Sequence, residues 1–270
     1  MDDVLRAIIL GFVQGTTEFL PISSSGHLML FPWVLGWDQQ SLAFDVALHV
    51  GTLLAVLAYY HRDFARLAAA FLAGVRERRF NGETDRMMSL MVIVGTVPAG
   101  VLGFLFESRI EEVNERPAVI GGFLIFTGVL LVAAQFGRGQ RKAEALSTRD
   151  AIFIGFGQAL ALIPGISRAG ATITAGIFRG LRPDEAARFS FLLSVPIIIG
   201  AATSQAFRLG GEAQDGLGPV AIVAGVITAA VSAFIAIHLL LKLMASRRIS
   251  LFAYYCFAMG GFILVLAWFR

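Results

Sequence analysis

Apolar positions run along this chain in long blocks rather than alternating with polar ones. Six blocks reach the length of about 20 residues that a membrane crossing needs: residues 44–60, 87–106, 118–136, 189–207, 219–241 and 251–269. Two more, 3–36 and 151–180, are equally apolar but interrupted. Pro21 and the serines Ser23, Ser24 and Ser25 break the first; Pro164, Gly165, Ser167, Arg168 and Gly170 break the second. Proline ends a helix because its ring clashes with the preceding turn and it has no N–H. A serine after the break can cap the next helix. Each interrupted block is read as a re-entrant helical hairpin, since irregular backbone at membrane depth is tolerable only against protein or a wet cavity. The expected fold class is therefore an all-α polytopic membrane protein with six transmembrane helices and two re-entrant hairpins.

The two interrupted blocks also match each other. Gly11-Phe12-x-Gln14 matches Gly155-Phe156-x-Gln158 at an offset of 144, Ser23 then matches Ser167, and Gly26 matches Gly170. Three spans follow each block. Three is odd, so the second copy is expected to lie upside down, which makes one membrane domain over 1–270 of two inverted repeats, about 1–136 and 150–270. Inverted repeats with broken helices hold their binding site near the bilayer midplane, where the breaks meet.

Charge orients the layout. The loops 61–86, 137–150, 179–188 and 242–248 hold 6, 4, 3 and 3 lysines and arginines, 16 of the 22 in the chain. Five lie on the opposite side: Arg6, Arg109, Arg116, Arg208 and Arg270. Basic loops stay in the cytoplasm, so both termini are expected outside. Only 15% of residues are charged and mean hydropathy is +0.75, against about 25% charged in a soluble domain. The start, Met-Asp-Asp, is not the basic opening of a cleaved signal peptide. No basic run is interleaved with aromatics as a nucleic-acid site needs. The single cysteine, Cys256, is read as packing.

Chemistry concentrates at the breaks. Glu18 lies in an apolar helix, and an ionisable group at that depth is a functional-site hypothesis. Gln14, four residues earlier, shares its face. Arg168 is the basic residue that falls deep inside an apolar block, away from its ends. One reading is an internal salt bridge to Glu18. The other is a guanidinium fork for phosphate oxygens, flanked by Ser167 and helix N–H groups. Both hold if the resting pair opens when an anion arrives. Glu18 reads as a general base, a metal ligand or a structural acceptor. His27 reads as a packed core histidine or as a proton carrier, since imidazole titrates near neutrality. The serines either cap a helix or supply a nucleophile. Asp45 and His49, four apart, border the cavity or bond at a helix interface.

Gly15-Thr-Thr-Glu-Phe-Leu-Pro-Ile-Ser-Ser-Ser-Gly-His27 and Pro164-Gly-Ile-Ser-Arg-Ala-Gly-Ala-Thr172 resemble the two signature motifs of bacterial undecaprenyl pyrophosphate phosphatases, also called bacitracin-resistance proteins. Ser190-Phe-Leu-Leu-Ser-Val-Pro196 resembles a third family segment. The resemblance implies hydrolysis of a polyprenyl diphosphate lipid, undecaprenyl diphosphate, to the monophosphate and inorganic phosphate. It also implies a bacterial inner-membrane location, a site open to the periplasmic face, dimerisation and a divalent cation, Mg²⁺ or Ca²⁺. It puts Glu18, Ser24, His27, Ser167 and Arg168 on catalytic positions. The expected mechanism has Ser24 as nucleophile with His27 as its base, ahead of His27 itself or water. Ser23, Ser25, Gly26, Ser167, Gly170 and Thr172 are the expected phosphate-binding set, with Glu18 and Gln14 toward the cation. Two departures stand out. Some members carry glutamate where this chain has Gln14, and the second motif here has Ala169 where a serine is common. The competing class is an inverted-repeat transporter or lipid flippase for an anionic lipid; a structural scaffold gives no reason to bury Glu18, His27 and Arg168.

Overall fold

A computed structural model describes residues 3–113, 116–208, 217–246 and 248–269. Residues 209–216 lie outside this set, as do Arg247 and Arg270, and so do the side chains of Arg109 and Arg208. Among the described residues the chain is helical: α1 (Asp3–Phe19), α2 (Ser24–Leu35), α3 (Leu42–Tyr59), α4 (His61–Glu77), α5 (Thr84–Val113), α6 (Pro117–Ala134), α7 (Thr148–Leu160), α8 (Arg168–Phe178), α9 (Pro183–Arg208), α10 (Pro219–Ala245) and α11 (Ser250–Phe269). Six of these, α3, α5, α6, α9, α10 and α11, contain stretches long and apolar enough to cross a membrane. They are the six blocks read from hydropathy, with ends shifted by a few residues. Large apolar side chains such as Phe12, Leu54, Val97, Phe104, Phe156 and Ile235 face outward, as a lipid-facing surface requires. Inside, Phe19, Phe44, Leu48, Phe189 and Phe191 are fully buried.

The interrupted blocks fold as helix pairs. α1 and α2 have 17 and 12 residues, α7 and α8 have 13 and 11. At 1.5 Å per residue, α2, α7 and α8 fall well short of a core about 30 Å thick. Local signals set their ends. Ser147 and Asp150 form a capping box that starts α7, and Ser167 caps α8 by accepting from Gly170 N–H at 3.1 Å. Gly36 closes α2 in the left-handed conformation with φ 67°.

Close glycine crossings lock the pairs to distant helices. A Cβ on Gly11 in α1 would stand 2.3 Å from the Gly225 carbonyl oxygen of α10. A Cβ on Gly155 in α7 would stand 2.4 Å from the Gly95 carbonyl oxygen of α5. These positions are 144 residues apart, and each half packs its opening helix on a helix of the other. Small residues permit such approach in lipid. Gly11→Ala and Gly155→Ala are each expected to destabilise by about 1–3 kcal/mol through overpacking. Thermal unfolding in detergent measures this; unchanged stability in both would show that the crossings yield.

α4 was not among the expected elements. It lies in the basic loop 61–86 and buries only a narrow stripe, Leu67, Ala70 and Gly74, which left no apolar block to read. Behind it Arg188 joins Asp63 and Glu144, at 2.7 Å each, tying α4 and the 137–147 loop to α9. Asp184 and Glu185 occupy the first turn of α9, where the helix dipole favours acids. Cys256 is buried.

Candidate functional site

The breaks of the two helix pairs converge. Glu18, in the last turn of α1, has its Oε1 3.0 Å from Nη2 of Arg168, the first residue of α8. The two are 150 positions apart, and their side chains are 6% and 13% exposed. Arg168 also donates through Nη1 to the Ser190 carbonyl at 3.3 Å, and its guanidinium lies over the Phe19 ring at 5.9 Å. The fork is thus held in place from α1, α8 and α9. Its backbone carbonyl accepts from the Thr172 hydroxyl at 2.7 Å, and that hydroxyl also meets Ser190 Oγ at 2.6 Å.

The other Glu18 oxygen, Oε2, accepts from Ser24 Oγ at 2.5 Å and from the Gln14 amide at 3.2 Å. His49 of α3 stands 3.8 Å away through Nε2. Its Nδ1 lies 2.8 Å from the Asp45 carbonyl, which only accepts, so Nδ1 carries the proton and Nε2 faces Glu18. The carboxylate therefore sits between a serine hydroxyl and a guanidinium, with each of its oxygens engaged.

A cavity of about 220 Å³ opens over this cluster, lined by Glu18, Ser23, Ser24, Ser25, His49, Ser167 and Arg168 together with apolar Val46, Ile166, Ile197, Ile198, Ala201 and Ala202, and by Gln205. Val46 and His49 belong to the first turns of α3, while Ala201 and Gln205 belong to the last turns of α9. The cavity thus runs toward the membrane face opposite the basic loops. α2 and α8 both begin at its wall, so two helix N-termini, each attractive to anions, flank it.

Ser23 turns sharply into α2 with φ 70° and ψ 97°, outside the ordinary regions for a non-glycine residue. Such a conformation costs on the order of 1–3 kcal/mol and clusters at functional sites. The matching residue of the second break, Ser167, is relaxed at φ −71° and ψ 123°. Thr127 of α6 steadies that second break, accepting from Ser167 N–H at 3.0 Å and donating to the Gly165 carbonyl at 3.1 Å.

Most of the expected residues meet, with three differences. The Ser24–His27 pair does not form. His27 is 5% exposed, does not line the cavity, and places Nδ1 2.7 Å from the Ser23 carbonyl and Nε2 2.7 Å from Tyr255 Oη. Glu18, reaching across the break, accepts the Ser24 hydrogen bond instead. Thr172 turns its hydroxyl to Arg168 and Ser190 rather than to the cavity. The Gly26 and Gly170 N–H groups are spent on the capping hydroxyls of Ser23, at 3.4 Å, and Ser167, at 3.1 Å. Ser23, Ser25 and Ser167 do line the cavity. Sequence reasoning missed Tyr255 and Thr127 and gave His49 little weight. The Asp45-x-x-x-His49 spacing was the one available signal; a threonine, or one tyrosine of the Tyr254-Tyr255 pair, in an apolar span gives none.

Known proteins match this chain over nearly its whole length. The family model described as "Bacitracin resistance protein BacA" matches residues 7–262. A protein of Rubrobacter xylanophilus named undecaprenyl-diphosphatase is 44% identical over 272 residues, covering 98% of this chain and 99% of its own length. One of Pelobacter propionicus with the same name is 46% identical, covering 96% of this chain and 95% of its own length. One of Stutzerimonas stutzeri named undecaprenyl-diphosphatase 2 is 43% identical, covering 98% of each. With both helix breaks, five of the six spans and most of the sixth inside the matched region, the chain belongs to the bacitracin resistance protein BacA family.

Proposed function

We propose that this protein hydrolyses undecaprenyl diphosphate to undecaprenyl phosphate and inorganic phosphate, recycling the lipid carrier of peptidoglycan synthesis in the bacterial inner membrane. The observation that carries the reading is the Ser24–Glu18–Arg168 cluster, a hydroxyl, its proton acceptor and a phosphate-shaped fork in one cavity. The names of the relatives supply the substrate. The inverted-repeat reading is supported by the matched crossings at Gly11 and Gly155. The cavity opens opposite the basic loops, which supports a periplasmic site with both termini outside.

The isoprenoid tail lies in the bilayer and the diphosphate enters the cavity. Arg168 leaves Glu18 and makes two parallel bonds to the terminal phosphoryl group, with Ser25, Ser167 and the helix N-termini around it. Ser24 Oγ attacks that phosphorus in line, its proton passes to Glu18 Oε2, and the bond to the bridging oxygen breaks to release the lipid monophosphate. Water then attacks the phosphoserine. Glu18 returns its proton to Ser24 Oγ, and both hydrogens of the water leave as dihydrogen phosphate. Positioning and charge stabilisation supply most of the catalysis in such transfers.

The residues also fit a divalent cation. Gln14 Oε1 is a buried acceptor with no hydrogen-bond partner, beside Glu18. Carboxylate and amide oxygens are the hard donors that Mg²⁺ and Ca²⁺ take. Among the described residues no three His, Cys, Asp or Glu side chains gather, so the remaining ligands would be substrate oxygens and water. A cation held there would neutralise charge on the diphosphate. Gln14→Glu adds a second carboxylate and is expected to lower the Mg²⁺ concentration giving half activity by roughly tenfold. An unchanged concentration would remove Gln14 from the ion.

Purified protein in detergent is expected to release phosphate from undecaprenyl diphosphate with no gradient or sealed compartment. A transporter or flippase, which the broken-helix layout also suits, would release none and would show activity only in sealed vesicles.

A further inference from the structure

We infer that His27 and Tyr255 form a brace for the strained Ser23 turn, so that Tyr255 is a positioning residue for the Ser24 hydroxyl; this rests on Ser24 being the nucleophile proposed above. The Ser23 carbonyl receives two bonds from one residue: His27 N–H at 3.2 Å and His27 Nδ1 at 2.7 Å. A carbonyl only accepts, so Nδ1 bears the proton. In the neutral ring Nε2 is then an acceptor, and the Tyr255 hydroxyl donates to it at 2.7 Å. The two rings also stack, with centroids 5.7 Å apart and planes 18° from parallel. Tyr255 belongs to α11, 228 residues away. The last helix of the chain therefore reaches the first break through one imidazole and holds the peptide that turns Ser24 toward Glu18.

The second break supplies the contrast. Offset by 144, Ser23 corresponds to Ser167 and His27 to Ala171. Ser167 has ordinary extended backbone; its carbonyl takes the Ala171 N–H at 2.8 Å, and the alanine has no side-chain donor to add the second bond that His27 makes. The imidazole stands where the backbone is strained, and a methyl group stands where it is not.

The test compares phosphate release by wild type, His27→Ala, His27→Asn and Tyr255→Phe in detergent, with thermal unfolding of each. An asparagine amide keeps a donor near the position of Nδ1 but cannot carry a proton as a base does. His27→Ala is expected to lose about a hundredfold in kcat, and His27→Asn to recover about tenfold of that, the worth of one hydrogen bond to the turn. Tyr255→Phe, which deletes one oxygen, is expected to lower kcat by about tenfold with KM unchanged. His27→Asn as inactive as His27→Ala would make the imidazole a base and overturn the brace. Tyr255→Phe at wild-type kcat would do the same for the tyrosine, and decides the matter if the asparagine variant does not fold. Wild type that releases no phosphate would refute the phosphatase reading itself, a failure distinct from either.

Discussion

Arg168→Ala is expected to lower kcat for phosphate release by roughly 10³-fold or more, the scale on which phosphoryl-transfer enzymes depend on an arginine at the transferring group. The loss has two components that separate experimentally. Glu18 is almost fully buried, and Arg168 is the cation bonded to it. Truncation leaves that carboxylate unpaired, a change that typically costs about 3–5 kcal/mol. The alanine variant should therefore unfold at lower temperature as well as turn over slowly. Arg168→Lys keeps a positive charge against Glu18 and should hold most of the stability, yet an ammonium cannot make two parallel bonds to a phosphoryl group. It is expected to remain impaired by about 10²-fold. Near-normal turnover in the lysine variant would show that charge alone suffices and that the fork geometry is irrelevant.

The second large effect concerns the acceptor of the Ser24 proton. Glu18→Gln preserves shape and can still accept from Arg168 through its amide oxygen, but it cannot take a proton. Removing general-base catalysis is expected to cost about 10²–10⁴-fold in kcat. Ser24→Ala should cost at least as much. On the proposed mechanism the hydroxyl and carboxylate, 2.5 Å apart, act as one unit, so the double variant should be no slower than the slower single one. Losses that multiply would mean that Glu18 and Ser24 serve separate steps, with an activated water as nucleophile.

Much of this was legible in the chain itself. Hydropathy located the six spans because lipid demands an unbroken apolar run of fixed length. The breaks were legible because proline, glycine and serine have backbone consequences that context seldom reverses. Glu18 and Arg168 stood out because charge is costly where they lie. The partner of Ser24 was not legible. His27 is three residues from Ser24 and on the same helix, so proximity in sequence favoured it. Yet rotation of its ring toward Ser23 and Tyr255 took both nitrogens away, and Glu18 arrived from the helix on the other side of the break. Tyr255 could not be found in advance, since nothing in an apolar helix marks the one tyrosine that reaches across the molecule. α4 escaped notice for the opposite reason: its 17 residues carry too many charges to register as an apolar block.

On the proposed mechanism, the resting ion pair between Glu18 and Arg168 sets an admission threshold for the headgroups that crowd the membrane surface. An ordinary phospholipid offers a single negative charge on a diester. It would gain from the guanidinium no more than the carboxylate already supplies, and would strand that carboxylate in a poorly solvated site. A terminal phosphoryl group offers two charges and a planar edge of oxygens that matches the fork. The enzyme can therefore ignore the abundant lipids around it while answering a scarce one.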